Sequence, residues 1–193
     1  KSSTIALNNG MNTSLLFEQL KDLRKTTDIP VVIMGYFNPI LQFGIKKFCK
    51  SCKEVGVDGL IIPDLPVDIY NDKYQKTFKS YGLLNMFLIT PQTSQRRIKY
   101  IDKISEGFIY MVSSYNVTGA IDSFDSFQKK YFKRINSMKL KSPLLVGFGI
   151  SNKDTFIDAG KYSHGAIIGS AYINWISENG ICKTSDFIKS LKD

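Results

Sequence analysis

The chain has 193 residues, of which 43% are hydrophobic and 22% are charged, a composition that suits one globular domain with a sizeable core. Its formal charge of +9 is spread over segments that also contain apolar residues. This favours solvated helix faces over a nucleic-acid surface and is compatible with an anionic small substrate. No run reaches the roughly 18 apolar residues of a membrane helix, so we expect a soluble, cytoplasmic protein whose cysteines are free thiols.

Short apolar runs alternate with helix-length amphipathic segments along the chain. The runs are typical of buried strands because they are continuous and rich in β-branched residues. They occupy residues 30–36, 59–63, 83–90, 107–112, 143–149 and 165–170. Residues 3–10 have the pattern of a helix end that closes at Gly10, and whole helices are expected over 44–56, 94–105 and 123–138. Strands that alternate with helices predict a parallel sheet with right-handed crossovers.

The residues that follow the strands distinguish an open, doubly wound sheet from a (β/α)8 TIM barrel. Polar residues or glycines follow nearly every strand, as at Asp64, Ser113 and Gly149. In a barrel many strands contribute to one site, whereas an open sheet binds its ligand at a single switch point. The sequence therefore predicts a single α/β domain over residues 1–193, a TIM barrel represented by its strands three to eight. Since the fold has eight strands, we expect about two βα units before Lys1.

Two glycine-containing motifs close the last two predicted strands: GFGIS at 147–151 and IIGSA at 167–171. Glycine lets the main chain approach an anion, amides donate hydrogen bonds to it, and the helix after the last strand adds its positive dipole end. Together the motifs predict a phosphate cradle, with two ordinary glycine turns as the alternative. The segment SSYNVTGA at 113–120 is interpreted as a lid, in which Thr118 and Gly119 offer a hydroxyl and an amide, or else as an ordinary surface loop.

Nucleophilic and metal chemistry find little support in the sequence. His164 falls at the start of the last predicted strand, away from a barrel's catalytic face, so we expect a structural role for it. Cys49 and Cys52 lie within a helical pattern and lack a second pair, which favours ordinary helix residues, and no metal site is predicted. The functions that remain are acid–base catalysis by carboxylates and ligand binding without catalysis. Asp64 in the stretch PDLP at 63–66 has two open roles: a structural one, in which it caps loop amides or pairs with a neighbouring base, and a substrate-side function.

Several motifs, in their order and spacing, resemble those of the tryptophan synthase alpha subunit family over essentially the whole chain. They are MGYFNPILQFGIKKF, GVDGLIIPDLPVD, GFIYMVSSYNVTGA, LLVGFGIS and GAIIGSA. The resemblance implies a lyase of tryptophan biosynthesis, without a cofactor of its own, that cleaves indole-3-glycerol phosphate to indole and glyceraldehyde 3-phosphate by a retro-aldol reaction. It also implies a partner, the beta subunit, which holds pyridoxal phosphate and assembles with the alpha subunit into an α2β2 heterotetramer.

The resemblance further implies roles for single residues. The substrate would be bound by Tyr36 and Tyr110 in the pocket, by the lid residue Thr118, and at its phosphate by Gly119, Gly149, Gly169 and Ser170. The face toward the beta subunit would include Asn38, Asp64 and Pro66. No catalytic residue is assigned in this chain, because the family's Glu and Asp would precede Lys1. Where relatives often have Arg-x-Gly, this chain has Ser114, Tyr115 and Asn116, so one lid contact is expected to be lost.

Other functions fit the residues less well. The main alternative is a non-catalytic barrel subunit that binds and activates the beta subunit. A phosphoribosyl isomerase would share the paired glycine loops, but it does not account for NPILQFG or PDLP. A basic RNA-binding domain would need a recognisable nucleic-acid motif, which the sequence lacks.

Overall fold

The computed structural model describes residues 2–113 and 124–192. The strands are β1 (Val32–Met34), β2 (Gly59–Ile61), β3 (Leu84–Ile89), β4 (Ile109–Val112), β5 (Leu144–Gly147) and β6 (Gly165–Ile167). The helices are α1 (Ser2–Asn8), α2 (Thr13–Leu20), α3 (Leu23–Thr26), α4 (Phe37–Phe43), α5 (Ile45–Val55), α6 (Val67–Ile69), α7 (Gln75–Ser80), α8 (Gln95–Ile104), α9 (Ser126–Asn136), α10 (Lys153–Gly160), α11 (Ser170–Asn179) and α12 (Thr184–Lys192). A π-helical turn covers Tyr70–Tyr74 and a 3-10 turn covers Ile181–Lys183.

The predicted elements are confirmed. Every predicted strand is present, and the helices expected over 44–56, 94–105 and 123–138 are α5, α8 and α9. The expected helix end at Gly10 follows α1, and Gly10 has a φ of 85°, the left-handed value that favours glycine after a helix. In the described part of the chain, no helix is long and apolar enough to cross a membrane.

Backbone contacts divide the chain into two compact units, of which the first is Lys1–Phe87. Within it β1, β2 and the start of β3 pair in parallel, with Ile33 opposite Leu60 and Leu60 opposite Asn85. The core beside these strands is partly aromatic, since the ring of Tyr70 makes a T-shaped contact with Phe78 at 5.4 Å between centroids. The expectation of a single domain stays a prediction.

Helix α5 shows how the sequence selects the buried face of a helix. Cys49 and Cys52 are fully buried, whereas the lysines between and around them are exposed. Burial raises the pKa of the Cys49 thiol to about 11 and that of Cys52 to about 12, so both remain protonated core residues at neutral pH. The helix ends at Gly56 in the left-handed conformation. The interpretation of the C-x-x-C spacing as ordinary helix residues is confirmed.

The second unit is Leu88–Asp193, and in it β4, β5 and β6 pair in parallel. Helix α9 begins at a capping box, in which the Asp125 side chain accepts from the Gln128 amide and the Gln128 side chain accepts from the Asp125 amide. The helix then buries an apolar face that includes Phe132 and Ile135. The capping box also fixes the position of Gln128, whose side chain hydrogen-bonds to the carbonyl of Ser113 directly after β4.

Arg24 ties together the amino-terminal ends of β1 and β2 in the first unit. Its guanidinium donates to the carbonyl of Gly56 and to the carboxylate of Asp58, and to two carbonyls in the segment 27–29. The same carboxylate accepts a hydrogen bond of 2.6 Å from the amide of Val31. Side chains therefore fix the entry to both strands and leave the opposite, carboxyl ends for other roles.

We expect Arg24→Ala to lower the free energy of unfolding by about 2 kcal/mol, because several partly buried acceptors lose their donor together. Urea denaturation followed by circular dichroism measures this change. The neighbouring Lys25→Ala is the matched control, since the Lys25 side chain forms an exposed ion pair with Asp22 and its loss is expected to cost less than about 0.5 kcal/mol. Equal losses in the two variants would contradict the assignment of Arg24 as the anchor.

Candidate functional site

Three strand ends lie side by side in the second unit. Val112, Gly147 and Ile167, the last residues of β4, β5 and β6, are register partners across the parallel sheet. Because the carboxyl ends of parallel strands lie along one edge of a sheet, the residues that follow them extend from the same edge. The two predicted phosphate loops, with Gly149 and Gly169, therefore start from neighbouring strands.

The β5 turn, which comprises Gly147, Phe148 and Gly149, has an unusual backbone. Phe148 has a φ of 66° and Gly149 a φ of 76°. Glycine adopts such values readily, whereas they cost an aromatic residue about 1 kcal/mol or more. Ser113 holds this conformation, because its hydroxyl donates to the Phe148 carbonyl at 2.6 Å and its amide donates to the Gly147 carbonyl at 3.1 Å. The end of β4 thus imposes the shape of the turn after β5.

Tyr110 fills the space that the missing side chain of Gly147 leaves. A Cβ built on Gly147 would lie 2.0 Å from the Tyr110 hydroxyl oxygen, a distance that no real packing tolerates. The Tyr110 ring is 4% exposed and makes a T-shaped contact with Phe148 at 5.8 Å between centroids. Burial raises the pKa of the Tyr110 phenol to about 12, so the group is neutral at physiological pH. Its role in lining a substrate pocket stays a prediction.

The amino terminus of α11 differs from that of α10 in its capping. Helix α10 is capped by Asn152, whose side chain accepts from the Thr155 amide at 2.9 Å. Helix α11 begins at Ser170 with Gly169 as its N-cap, and among the described residues no side chain caps its first amides. Gly169 and Ser170 are both exposed. The first turn of α11 therefore presents backbone donors and a positive dipole end to an anion.

Asp64 has a defined partner in the first unit. Its Oδ1 accepts a hydrogen bond of 2.8 Å from the amide of Phe37, the first residue of α4. The carboxylate thereby satisfies an otherwise orphaned helix donor and places a negative charge at the positive end of α4. Of the two open roles for Asp64, the structure shows amide capping. Phe37 lies between Tyr36 and Asn38 in sequence, so the contact places Asp64 next to the backbone that carries these two predicted site residues.

The remaining predicted residues of the first unit are exposed. Tyr36 is 70% exposed, and Asn38, Asp64 and Pro66 also belong to the exposed class. Pro66 is the N-cap residue of α6, directly after the loop that contains Asp64. These side chains are accessible to a partner or a ligand, and their assignment to a subunit interface stays a prediction.

The structural role expected for His164 is confirmed. Its Nδ1 accepts from the Leu144 amide at 3.1 Å, and its own amide donates to the Leu144 carbonyl at 2.8 Å. The imidazole thus joins the first residue of β5 to the segment before β6. Within residues 2–113 and 124–192, no group of three or more His, Cys, Asp or Glu side chains is placed to hold a metal ion.

The predicted lid residues Thr118 and Gly119 lie outside the described residues, as do Ser114, Tyr115 and Asn116.

Sequence reasoning missed the contact of Gln128 with the candidate site. The Gln128 Nε2 donates to the Ser113 carbonyl at 3.1 Å, just before the segment that is not described. The signal for Gln128 was the Asp-x-x-Gln pattern of a capping box at residues 125–128.

Gly147→Ala is expected to lower the free energy of unfolding by about 2–3 kcal/mol, because the new methyl group overlaps the Tyr110 ring. Gly160→Ala is the matched control, since a Cβ there meets nothing within 4 Å and the helix tolerates it. Urea denaturation gives both values. Because Tyr110→Ala removes the overlap, the double variant should lose less than the sum of the single variants, and additive losses would contradict the proposed steric cause.

Asp64→Ala should lower the free energy of unfolding by about 1 kcal/mol, the usual cost of a lost helix cap. Asp64→Asn keeps an acceptor oxygen without the charge and is expected to lose less than half as much. Thermal unfolding of both variants measures the difference. A loss in Asp64→Asn as large as that in Asp64→Ala would show that the charge, and not the hydrogen bond to Phe37, is what stabilises this loop.

Comparisons with known proteins identify the family. A family model described as "Tryptophan synthase alpha chain" matches residues 1–192. The tryptophan synthase alpha chain of Flavobacterium psychrophilum is 60% identical over 191 residues, which are 99% of this chain and 76% of that protein. The one from Christiangramia forsetii is 59% identical over 192 residues, which are 100% of this chain and 75% of that protein. The chain thus spans about three quarters of the length of these relatives.

Solved structures agree with these sequence matches. The tryptophan synthase complex from Pyrococcus furiosus includes a chain with a TM-score of 0.83 and 30% identity, over 97% of this chain and 74% of that one. The tryptophan synthase alpha chain from Legionella pneumophila has a TM-score of 0.79 and 32% identity, over 92% of this chain and 65% of that one. The family recognised from the motifs is therefore confirmed, and with it the α/β TIM-barrel fold class and the lyase class. The chain belongs to the tryptophan synthase alpha chain family.

Proposed function

We propose that this chain provides the phosphate-binding loops of a tryptophan synthase alpha subunit, which cleaves indole-3-glycerol phosphate to indole and glyceraldehyde 3-phosphate. The observation that supports this proposal most strongly is that the β5 turn and the amino terminus of α11 follow adjacent strands of the sheet. Both follow neighbouring parallel strands, and the first amides of α11 have no side-chain cap within the described part of the chain. Phosphate bound by the loops after the last two strands is a recurrent arrangement in barrels.

In this proposal the phosphate is held by main-chain donors. Gly149 contributes an amide in a left-handed turn, and Gly169 and Ser170 contribute the start of a helix. Thr118 and Gly119, which are not among the described residues, are proposed to bind the same phosphate. Because the phosphate is remote from the bond that breaks, its binding energy serves to orient the indole and glycerol groups for cleavage.

Tyr36 and Tyr110 are proposed to line the pocket for the rest of the substrate. The Tyr110 phenol, with its pKa raised to about 12, is not a general base at neutral pH and contributes an apolar wall. The retro-aldol step moves a proton from the glycerol hydroxyl and delivers one to indole C3, while the carbon–carbon bond between them breaks. We assign neither proton transfer to a residue of this chain, since the resemblance places the family's Glu and Asp before Lys1.

The partner in this proposal is the tryptophan synthase beta subunit, in a cytoplasmic α2β2 assembly. Solved structures of similar chains include an α2β2 complex from Pyrococcus furiosus. Asn38, Asp64 and Pro66 are proposed to face the beta subunit, and all three are exposed. Pyridoxal phosphate is assigned to the beta subunit, and the alpha chain is proposed to need no cofactor.

We test the proposal with the full-length protein assembled with its beta subunit. Release of indole from indole-3-glycerol phosphate is the expected activity, and activation of the beta subunit without indole release would instead favour a non-catalytic activator. Gly149→Ala strains a backbone with a φ of 76° and is expected to raise KM about tenfold, with a smaller change in kcat. Inorganic phosphate should inhibit competitively, and its inhibition constant should rise in parallel.

Gly160→Ala is the control for this experiment, because it adds the same methyl group at a glycine without close neighbours. Its KM and its inhibition by phosphate should match those of the unmodified protein. An unchanged KM in Gly149→Ala would contradict the assignment of the β5 turn to phosphate binding.

A further inference from the structure

Gln128 is a buried polar side chain whose two ends make different contacts. It is 6% exposed, and its Oε1 accepts from the Asp125 amide at 2.9 Å, which completes the capping box of α9. Its Nε2 donates to the Ser113 carbonyl at 3.1 Å. The capping box requires only the first of these contacts. The second contact connects α9 to the end of β4 and needs a separate explanation.

Ser113 transmits this contact to the β5 turn. It is 1% exposed, and each of its polar groups has a partner. Its carbonyl accepts from Gln128, its amide donates to Gly147, and its hydroxyl donates to the Phe148 carbonyl. Such a buried and fully paired residue has little freedom to move, so its position sets the position of the turn.

The Phe148 carbonyl and the Gly149 amide belong to one peptide plane. In a trans peptide the C=O and N–H bonds point in opposite directions, and the described peptide bonds include no cis bond. When the Ser113 hydroxyl holds the Phe148 carbonyl on one side, the Gly149 N–H must point to the other side. The hydroxyl therefore selects the direction in which Gly149 offers its hydrogen bond.

We propose that Gln128 is a positioning residue for phosphate binding, which acts through Ser113 and the Phe148 carbonyl to aim the Gly149 amide at the anion. The inference rests on the proposed function, because it assumes that Gly149 donates to phosphate. It adds a residue that lies on α9 and is placed behind the turn by its hydrogen bonds, so Gln128 itself need not touch the ligand.

The test uses Gln128→Met and Gln128→Glu in the full-length protein assembled with its beta subunit. Gln128→Met has a similar length and makes neither hydrogen bond. Gln128→Glu keeps the acceptor of the capping box but replaces the donor to Ser113 with an oxygen. Both variants are expected to raise KM for indole-3-glycerol phosphate and the inhibition constant of inorganic phosphate about fivefold, while kcat changes less than about twofold.

Two further variants separate positioning from stability. Ser94→Ala removes the cap of α8, where the Ser94 hydroxyl accepts from the Arg97 amide, and should lower the melting temperature without changing KM. Ser113→Ala should raise KM as Gln128→Met does, and the double variant should show less than the product of the two effects, because both act on the same peptide plane.

The outcomes distinguish this inference from the proposed function. If Gly149→Ala raises KM but both Gln128 variants leave it within about twofold, the positioning role is wrong and the phosphate role of the turn stands. If none of these variants changes KM or phosphate inhibition, the phosphate role of the turn fails and the positioning role fails with it. If Ser94→Ala raised KM as much as Gln128→Met does, a general loss of stability would explain the KM change, and the inference would be overturned.

Discussion

The candidate site depends on the absence of a side chain at Gly147. The Tyr110 side chain occupies the place where a Cβ of residue 147 would lie. A Cβ built there would be 2.0 Å from the Tyr110 hydroxyl oxygen and 2.2 Å from the Tyr110 Cζ. With the ring seated there, Phe148 packs against it edge to face, and the chain turns into the left-handed region at Phe148 and Gly149. The missing side chain at Gly147 thus leaves room for a buried tyrosine, and the Ser113 hydrogen bonds hold the main chain that follows β5.

The first unit uses hydrogen bonds for a comparable purpose at both ends of its strands. At the amino-terminal ends, Arg24 and Asp58 fix the entries to β1 and β2 through buried or half-buried carbonyl and amide groups. At the carboxyl end of β2, Asp64 caps the first amide of α4. In each case a side chain from one βα unit satisfies the backbone of a neighbouring one. Loops held in this way keep exposed residues such as Tyr36 at defined positions.

The sequence predicted the strands, the main helices and the two glycine loops, because hydrophobic periodicity and glycine placement are local signals. It placed Cys49 and Cys52 within a helix for the same reason, and the structure adds that both are buried. It left the role of Asp64 open, because the partner amide of Phe37 lies 27 residues away. It also gave no sign that Asn85, inside an apolar run, is fully buried, or that Phe148 has a positive φ. Contacts of this kind depend on which strands become neighbours, and a single sequence does not encode that locally.

The side chains around the β5 turn hydrogen-bond to main-chain carbonyls and so hold the backbone of the turn. Gln128 and Ser113 are buried and bind carbonyl groups, and in the proposed phosphate site the donors are amides of Gly149 and of the first turn of α11. Backbone amides carry no net charge and do not titrate, so the proposed phosphate recognition would depend on geometry and on the helix dipole. A search of the sequence for arginine or lysine clusters therefore has no reason to select this edge of the sheet. Glycine is the residue type that marks it, because glycine adopts the positive φ of the β5 turn and lets a ligand approach the main chain closely.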